Sequence, residues 1–146
     1  QGQEWGRSKV IAETPFPDPN VGKMDLNSYE KDNETNWLNW EHKNMNTELV
    51  EFYRALIKLR KENDLFRRAE PGQFNFFKPE ENVTAIGFTI TKGNNQAAVF
   101  LNSSNNLSRF PFNIDGWETL IKTQEGGFHF GEEIQLPPRS GIIMRK

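Results

Sequence analysis

Thr84-Ala85-Ile86-Gly87-Phe88-Thr89-Ile90-Thr91 runs into the break Lys92-Gly93-Asn94-Asn95, and then comes Gln96-Ala97-Ala98-Val99-Phe100-Leu101-Asn102. In the first run Thr84, Ile86, Phe88 and Ile90 share one parity, and Ala85, Gly87, Thr89 and Thr91 share the other. Successive strand side chains point to opposite faces, so this reads as a strand with one packed face and one smaller or wetter face. The stretch from Ala97 to Leu101 is apolar throughout, the pattern of a central strand buried on both faces. The Gly-Asn-Asn between them is turn chemistry.

Similar runs recur at 73–78, 117–123, 133–136 and 141–145. Turn-rich breaks separate them at 79–82, 103–106, Gly126-Gly127 and Pro137-Pro138. Short strands at such spacing predict an antiparallel β-sandwich. No internal repeat or low-complexity tract interrupts the pattern.

The organisation changes near residue 68. Upstream, Leu49, Phe52, Tyr53, Leu56, Ile57 and Leu59 recur mainly at three- and four-residue steps and predict an amphipathic helix. Asn46 or Thr47 is placed to cap its start. Glu48 and Glu51 in the first turn, with Lys58, Arg60 and Lys61 in the last, complement the helix dipole. The stretch 11–46 carries Pro15, Pro17 and Pro19 and many Asn and Asp, and reads as a long irregular loop of the kind that usually has a function. The charge run 58–68 reads as the solvated end of the helix.

Composition narrows the field. The net charge is −2, and the 18 Lys and Arg are scattered, so no basic field exists to draw a phosphate backbone, and nucleic acid is not the expected partner. Twelve Phe and four Trp in a chain only 35% hydrophobic mean that large rings must build the core. Without cysteine there are no disulfides, thiolate nucleophiles or zinc–thiolate sites. The compartment stays open, export to the cell surface or periplasm included. No run approaches the roughly 20 apolar residues of a membrane span, so no membrane partner is expected.

Three segments carry a resemblance. Gly2-Gln3-Glu4-Trp5-Gly6-Arg7, Leu26-Asn27-Ser28-Tyr29 and Asn36-Trp37-Leu38-Asn39-Trp40 together resemble the last active-site loop of α-amylase-family enzymes, glycoside hydrolase family 13. The Asn-Ser-Tyr step before Asn-Trp is most similar to pullulanase-type debranching enzymes. Tyr53-Arg54-Ala55-Leu56-Ile57-Lys58-Leu59-Arg60, leading to Phe66-Arg67, resembles the last barrel helix, and Gly141-Ile142-Ile143-Met144 resembles a closing strand of the C-terminal domain.

That resemblance spans nearly the whole chain and implies its architecture. Residues 1–67 would be the end of a catalytic (β/α)8 barrel, with the eighth strand ending at Gly2-Gln3-Glu4. Residues 68–146 would be a C-terminal β-sandwich. The implied fold class is mainly β, an antiparallel β-sandwich preceded by a remnant of the last βα unit of a TIM barrel. The implied activity of the whole enzyme is retaining hydrolysis of α-1,6-glucosidic bonds, which needs two carboxyl groups roughly 5 Å apart on fixed strand ends. In the family the three catalytic acids lie upstream of this segment, so the chain is expected to hold none and to be inactive alone. Its implied partners are an α-glucan, bound through the parent enzyme, and the catalytic barrel itself. No cofactor is implied.

Tyr29, Asn36 and Trp37 are the expected sugar contacts. Pyranose C–H faces stack on flat rings while hydroxyls seek amides, and long loops often carry binding residues. The competing reading is that the rings form the loop's own small core. Trp37 and Trp40 are close in sequence, so one is expected to face the cleft, with Trp40 the weaker candidate. Glu4, at the implied strand end, is expected to hold the loop. Most of Asp18, Asp25, Glu30, Asp32 and Glu34 are read as solvated: an EF-hand loop begun at Asp18 reaches Tyr29 where a bidentate Glu is required, which leaves only a different calcium geometry open. No metal site is expected, and His42 and His129 stand alone.

In the β region Trp117, Phe110, Phe112, Phe128 and Phe130 permit a second reading, a stand-alone glucan-binding module. Phe110 and Phe112 share parity about Pro111, as Phe128 and Phe130 do about His129, which is instead the pattern of a buried face. A third reading is a purely structural domain. The glycosylation acceptor patterns at Asn33, Asn82, Asn102 and Asn106 carry little weight in an Asn-rich chain.

Overall fold

The computed structural model describes residues 2–79 and 84–146. The expected turn at 79–82, the first residue of the expected strand, Val83, and the acceptor pattern at Asn82 lie wholly or partly outside these described residues. The chain divides into two compact units, Gln1–Lys58 and Leu59–Lys146.

Among the described residues the second unit holds eight strands: β1 (Phe74–Phe77), β2 (Ala85–Lys92), β3 (Asn95–Asn102), β4 (Ser108–Phe110), β5 (Glu118–Lys122), β6 (His129–Phe130), β7 (Ile134–Leu136) and β8 (Ser140–Arg145). They form a five-stranded sheet, β1-β2-β3-β8-β5, and a three-stranded sheet, β4-β7-β6. Every pairing is antiparallel. Ala85, Ala98, Phe100, Ile142 and Met144 of the larger sheet pack on Phe110, Ile134 and Leu136 of the smaller one, so the core is that of a sandwich. The fold is therefore mainly β, as the alternation implies. All six expected strands are present. β4 and β6, three and two residues long, are too short to show a period.

β3 is the central strand, with Ala97, Ala98, Val99 and Phe100 buried, although Leu101 is exposed. β2 departs from expectation in which face it buries. Ala85 and Gly87, the small residues, face the main core, opposite Asn102 and Phe100. The larger parity splits: Ile90 is buried with Ala97 and Leu65, while Ile86 is exposed. The reason is volume, because the Phe100 ring fills the core layer where a β2 side chain would stand.

Residues read as a charged helix exit form a short helix, α3 (Asp64–Arg68), whose Leu65 and Phe66 join the Ile90 cluster. The Asn63 side chain caps it by accepting from the Leu65 amide at 3.0 Å. α3 lies within the unit Leu59–Lys146.

In the first unit the predicted helix is α2 (Thr47–Glu62), preceded by an unexpected short helix α1 (Glu41–Met45). The Asn46 amide does not cap α2 but donates to the Trp5 carbonyl at 2.8 Å, and the Thr47 hydroxyl donates to the Asn44 carbonyl. Among the described residues of α2 only Val50 is buried, and Leu49 and Ile57 on its apolar stripe are exposed. The expected barrel-strand end is a single helical turn over Gln3–Trp5.

Candidate functional site

The loop has more order than its composition suggests. Residues 9–12 and 22–25 lie antiparallel, with the Ile11 amide donating to Lys23, Gly22 to Ile11 and Asp25 to Lys9, and with Val10 opposite Met24. The three prolines fall in the tip of this hairpin, where missing donors cost nothing. Thr35, almost wholly buried, accepts from the Ala12 amide at 3.1 Å and so ties the hairpin to the next segment.

Of the three expected sugar contacts, two present their rings to solvent. Tyr29 is 76% exposed and Trp37 64% exposed. Asn36 is engaged inside the loop. Its Oδ1 accepts from the Ser28 hydroxyl at 2.7 Å, and its Nδ2 donates to the carbonyls of Ser28 and Lys31. A sugar hydroxyl would have to compete with these bonds.

Both tryptophans are largely exposed, Trp37 at 64% and Trp40 at 60%, and they differ in their ring contacts. Trp40 packs against the buried Trp5, ring centroids 5.1 Å apart, while Trp37 has no ring partner among the described residues. Glu4 does not hold the loop, since among the described residues its carboxylate makes no hydrogen bond or ion pair. Arg7 takes that part, because its guanidinium donates to the carbonyls of Asn36 and Trp37. Lys9 donates to the Ser28 hydroxyl at 2.7 Å. Sequence reading passed over Lys9, and it noted Arg7 and Ser28 only as members of the resembling motifs, with no role of their own.

The acids of the loop hold the backbone. Asp18 accepts from the Asn20 amide, and Asp25 accepts from the Asn27 amide and pairs with Lys31 at 2.8 Å. The hydrogen bond from Lys31, then that from Asn27, keeps the Asp25 carboxyl below the usual range. Tyr29 donates its hydroxyl to Glu30, which raises the phenol. Among the described residues no group of three or more His, Cys, Asp or Glu side chains is arranged to hold a metal ion. None of the helices is long and apolar enough to cross a membrane.

In the β unit Phe110 is fully buried, and Phe112 and Trp117 pack against the core at its edge. Phe128 and Phe130 lie 6.3 Å apart with planes only 12° from parallel, and Phe130 is 45% exposed. With Thr119, Lys122 and Glu125 they line a shallow groove of about 530 Å³.

No model of a known protein family matches the chain. It is 29% identical over 109 residues to the cyclomaltodextrinase of Geobacillus thermopakistaniensis, an alignment covering 71% of this chain and 18% of that protein. It is also 29% identical over 86 residues to the maltogenic α-amylase of Bacillus acidopullulyticus, covering 58% and 14%. The chain thus spans less than a fifth of either relative. Among solved structures, a GBS pullulanase in complex with maltotetraose superposes over 99% of this chain and 25% of its own, with a TM-score of 0.75 at 16% identity. In sequence the chain is similar to these two α-amylase-family relatives and in fold to the pullulanase, which supports its resemblance to the C-terminal portion of such glycoside hydrolases.

Proposed function

We propose that the chain serves as the C-terminal part of a glycoside hydrolase acting on α-glucans, of the pullulanase type that cleaves α-1,6 links. In this reading residues 1–67 complete the barrel, Tyr29 and Trp37 offer ring faces to the glucan, and 68–146 braces the barrel without chemistry of its own. The observation that carries it is the exposure of the Tyr29 and Trp37 rings, shared with Phe16 and Trp40, on a loop whose backbone is closed by hydrogen bonds. A loop that needed these rings for its own core would bury them, as it buries Trp5. The apolar stripe of α2 supports the barrel as partner, because exposed Leu49 and Ile57 are suited to an apolar neighbour.

The test is an amide- and indole-resolved NMR titration of the chain with linear and α-1,6-branched maltooligosaccharides at millimolar concentration. Shifts at Tyr29 and at the Trp37 indole, lost in Trp37→Ala and larger with the branched ligand, are expected. Equal response to both ligands would overturn the α-1,6 preference, and no response at either ring would overturn the contact. Pullulan hydrolysis by the chain alone would overturn its non-catalytic role.

The groove at Phe128 and Phe130 favours a second reading, in which the β unit itself binds glucan. The exposed Phe130 ring, nearly parallel to the partly buried Phe128 ring and beside Thr119, Lys122 and Glu125, combines a stacking surface with hydroxyl-binding groups. In the same titration this reading requires shifts at Phe130 that Phe130→Ala removes and Trp37→Ala leaves intact.

A further inference from the structure

The geometry points to Arg7 and Lys9 as a clamp of positioning residues that sets Tyr29 and Trp37 in place for the glucan. This deepens the proposed contact at those two rings and rests on it.

The argument begins with where the two cations attach. Arg7 donates to two successive carbonyls, those of Asn36 and Trp37, the latter at 3.4 Å. Lys9 donates to Ser28, a residue only 3% exposed. Each of the presented rings therefore belongs to a clamped residue or its immediate neighbour: Ser28 precedes Tyr29, and Asn36 precedes Trp37. The two attachment points are tied to each other as well. Ser28 donates its hydroxyl to Asn36 Oδ1 at 2.7 Å, and the Asn36 amide donates back to the Ser28 carbonyl. A shift at either cation passes through this bridge into both ring-bearing backbones.

Chemistry sets the roles apart. A guanidinium presents several donors in a rigid plane and can hold two neighbouring carbonyls, while an ammonium offers a single mobile point charge. Charge-assisted bonds are roughly twice as strong as neutral ones, so these cations are strong cross-links within the loop, beside the Lys31–Asp25 pair. The backbone makes room for Arg7 specifically. Gly2 has φ 92°, and a Cβ there would lie 2.8 Å from Arg7 Cβ and Cδ. Asn36 is thereby a positioning residue, its amide spent on the bridge.

The test uses the full chain, first without ligand. Arg7→Met should move the Trp37 indole and ring resonances more than those of Tyr29, and Lys9→Met should do the reverse, with the β-unit amides unchanged in both. Arg7→Lys keeps the charge and guards against a variant that fails to fold. It should still displace Trp37, since both bonds come from one nitrogen, Arg7 Nη2, fixed in the guanidinium plane, whereas an ammonium sits on a flexible stem. With maltotetraose as probe, affinity should fall about tenfold in Arg7→Met, the scale expected for one lost charged hydrogen bond. Unchanged Trp37 resonances in both Arg7 variants would overturn the clamp. Unchanged affinity despite displaced rings would overturn its link to binding. If the wild-type chain does not bind maltotetraose, the glucan contact fails, while the ligand-free shifts still decide the clamp.

Discussion

A Cβ on Gly87 would lie 2.5 Å from Cδ1 and 2.7 Å from Cε1 of Phe100, the residue directly across the β2–β3 ladder. Phe100 is wholly buried and is itself packed against Phe110, 5.1 Å away between ring centroids, so it has little room to retreat. Gly87→Ala should therefore destabilise the β unit by about 1–3 kcal/mol, the usual cost of overpacking. The sign is informative, because the same substitution in an open strand would help by limiting the unfolded chain. Thermal or urea unfolding checks it, and an unchanged or raised midpoint would mean that the Phe100 ring is free to shift.

How much of this was legible in the sequence varies with length scale. β2 and β3 run for eight residues each, long enough for alternation and uniform apolarity to be read. β4 and β6 are held by tertiary pairing with β7, which no local pattern records. The buried face of β2 was misread because large residues were taken for the packed ones, when the opposing Phe100 decides how much volume each face can hold. In the loop, the aromatic and amide residues drew attention through their chemistry. The cations that position them act over 19 to 30 residues of separation, a distance at which single-sequence patterns are silent.

Asn102 offers a second check on the core. It is almost completely buried, its Nδ2 donating to the carbonyls of Asn106, Leu136 and Pro137 and its Oδ1 accepting from the Ser104 amide and hydroxyl. It ends β3 beside the Ser/Asn-rich turn 103–106 and stitches that turn to the end of β7. Asn102→Ala would strand several buried carbonyls and should cost about 3 kcal/mol, as unsatisfied groups do. Asn102→Asp should cost as much or more, since a carboxylate only accepts where the two amide N–H groups serve three carbonyls. Urea denaturation measures both, and a loss under 1 kcal/mol in Asn102→Ala would show that water replaces the bonds.

The stripe of α2 yields a prediction of little effect. Ile57 is 51% exposed, so Ile57→Gln should change the stability of this chain by no more than about 0.5 kcal/mol, as exposed substitutions do. A loss above 2 kcal/mol would mean that the stripe is already covered within the chain and would remove its support for a barrel partner.

Acid should loosen the loop through Asp25. The Lys31 hydrogen bond, the Asn27 amide and the nearby charges of Lys31 and Lys9 hold its carboxyl below the ordinary value. A group depressed on folding adds stability that is present above its unfolded value, about 3.9 for Asp, and is lost as pH falls through the folded one. Tyr29 has the opposite sign. Its phenol is raised by the bond to Glu30, so its contribution is complete below the ordinary phenol value near 10 and is lost as pH rises through the folded one. Asp64, lowered mainly by its bond from Arg67, behaves in the β unit as Asp25 does in the loop, so only a residue-specific readout separates the two. Carboxyl-carbon NMR should follow Asp25, with Lys31 and Asn27 resonances moving at the same low pH, and Asp25→Asn should abolish that step while leaving the one at Asp64. If the acid step in the loop survives in Asp25→Asn, another carboxylate holds it closed.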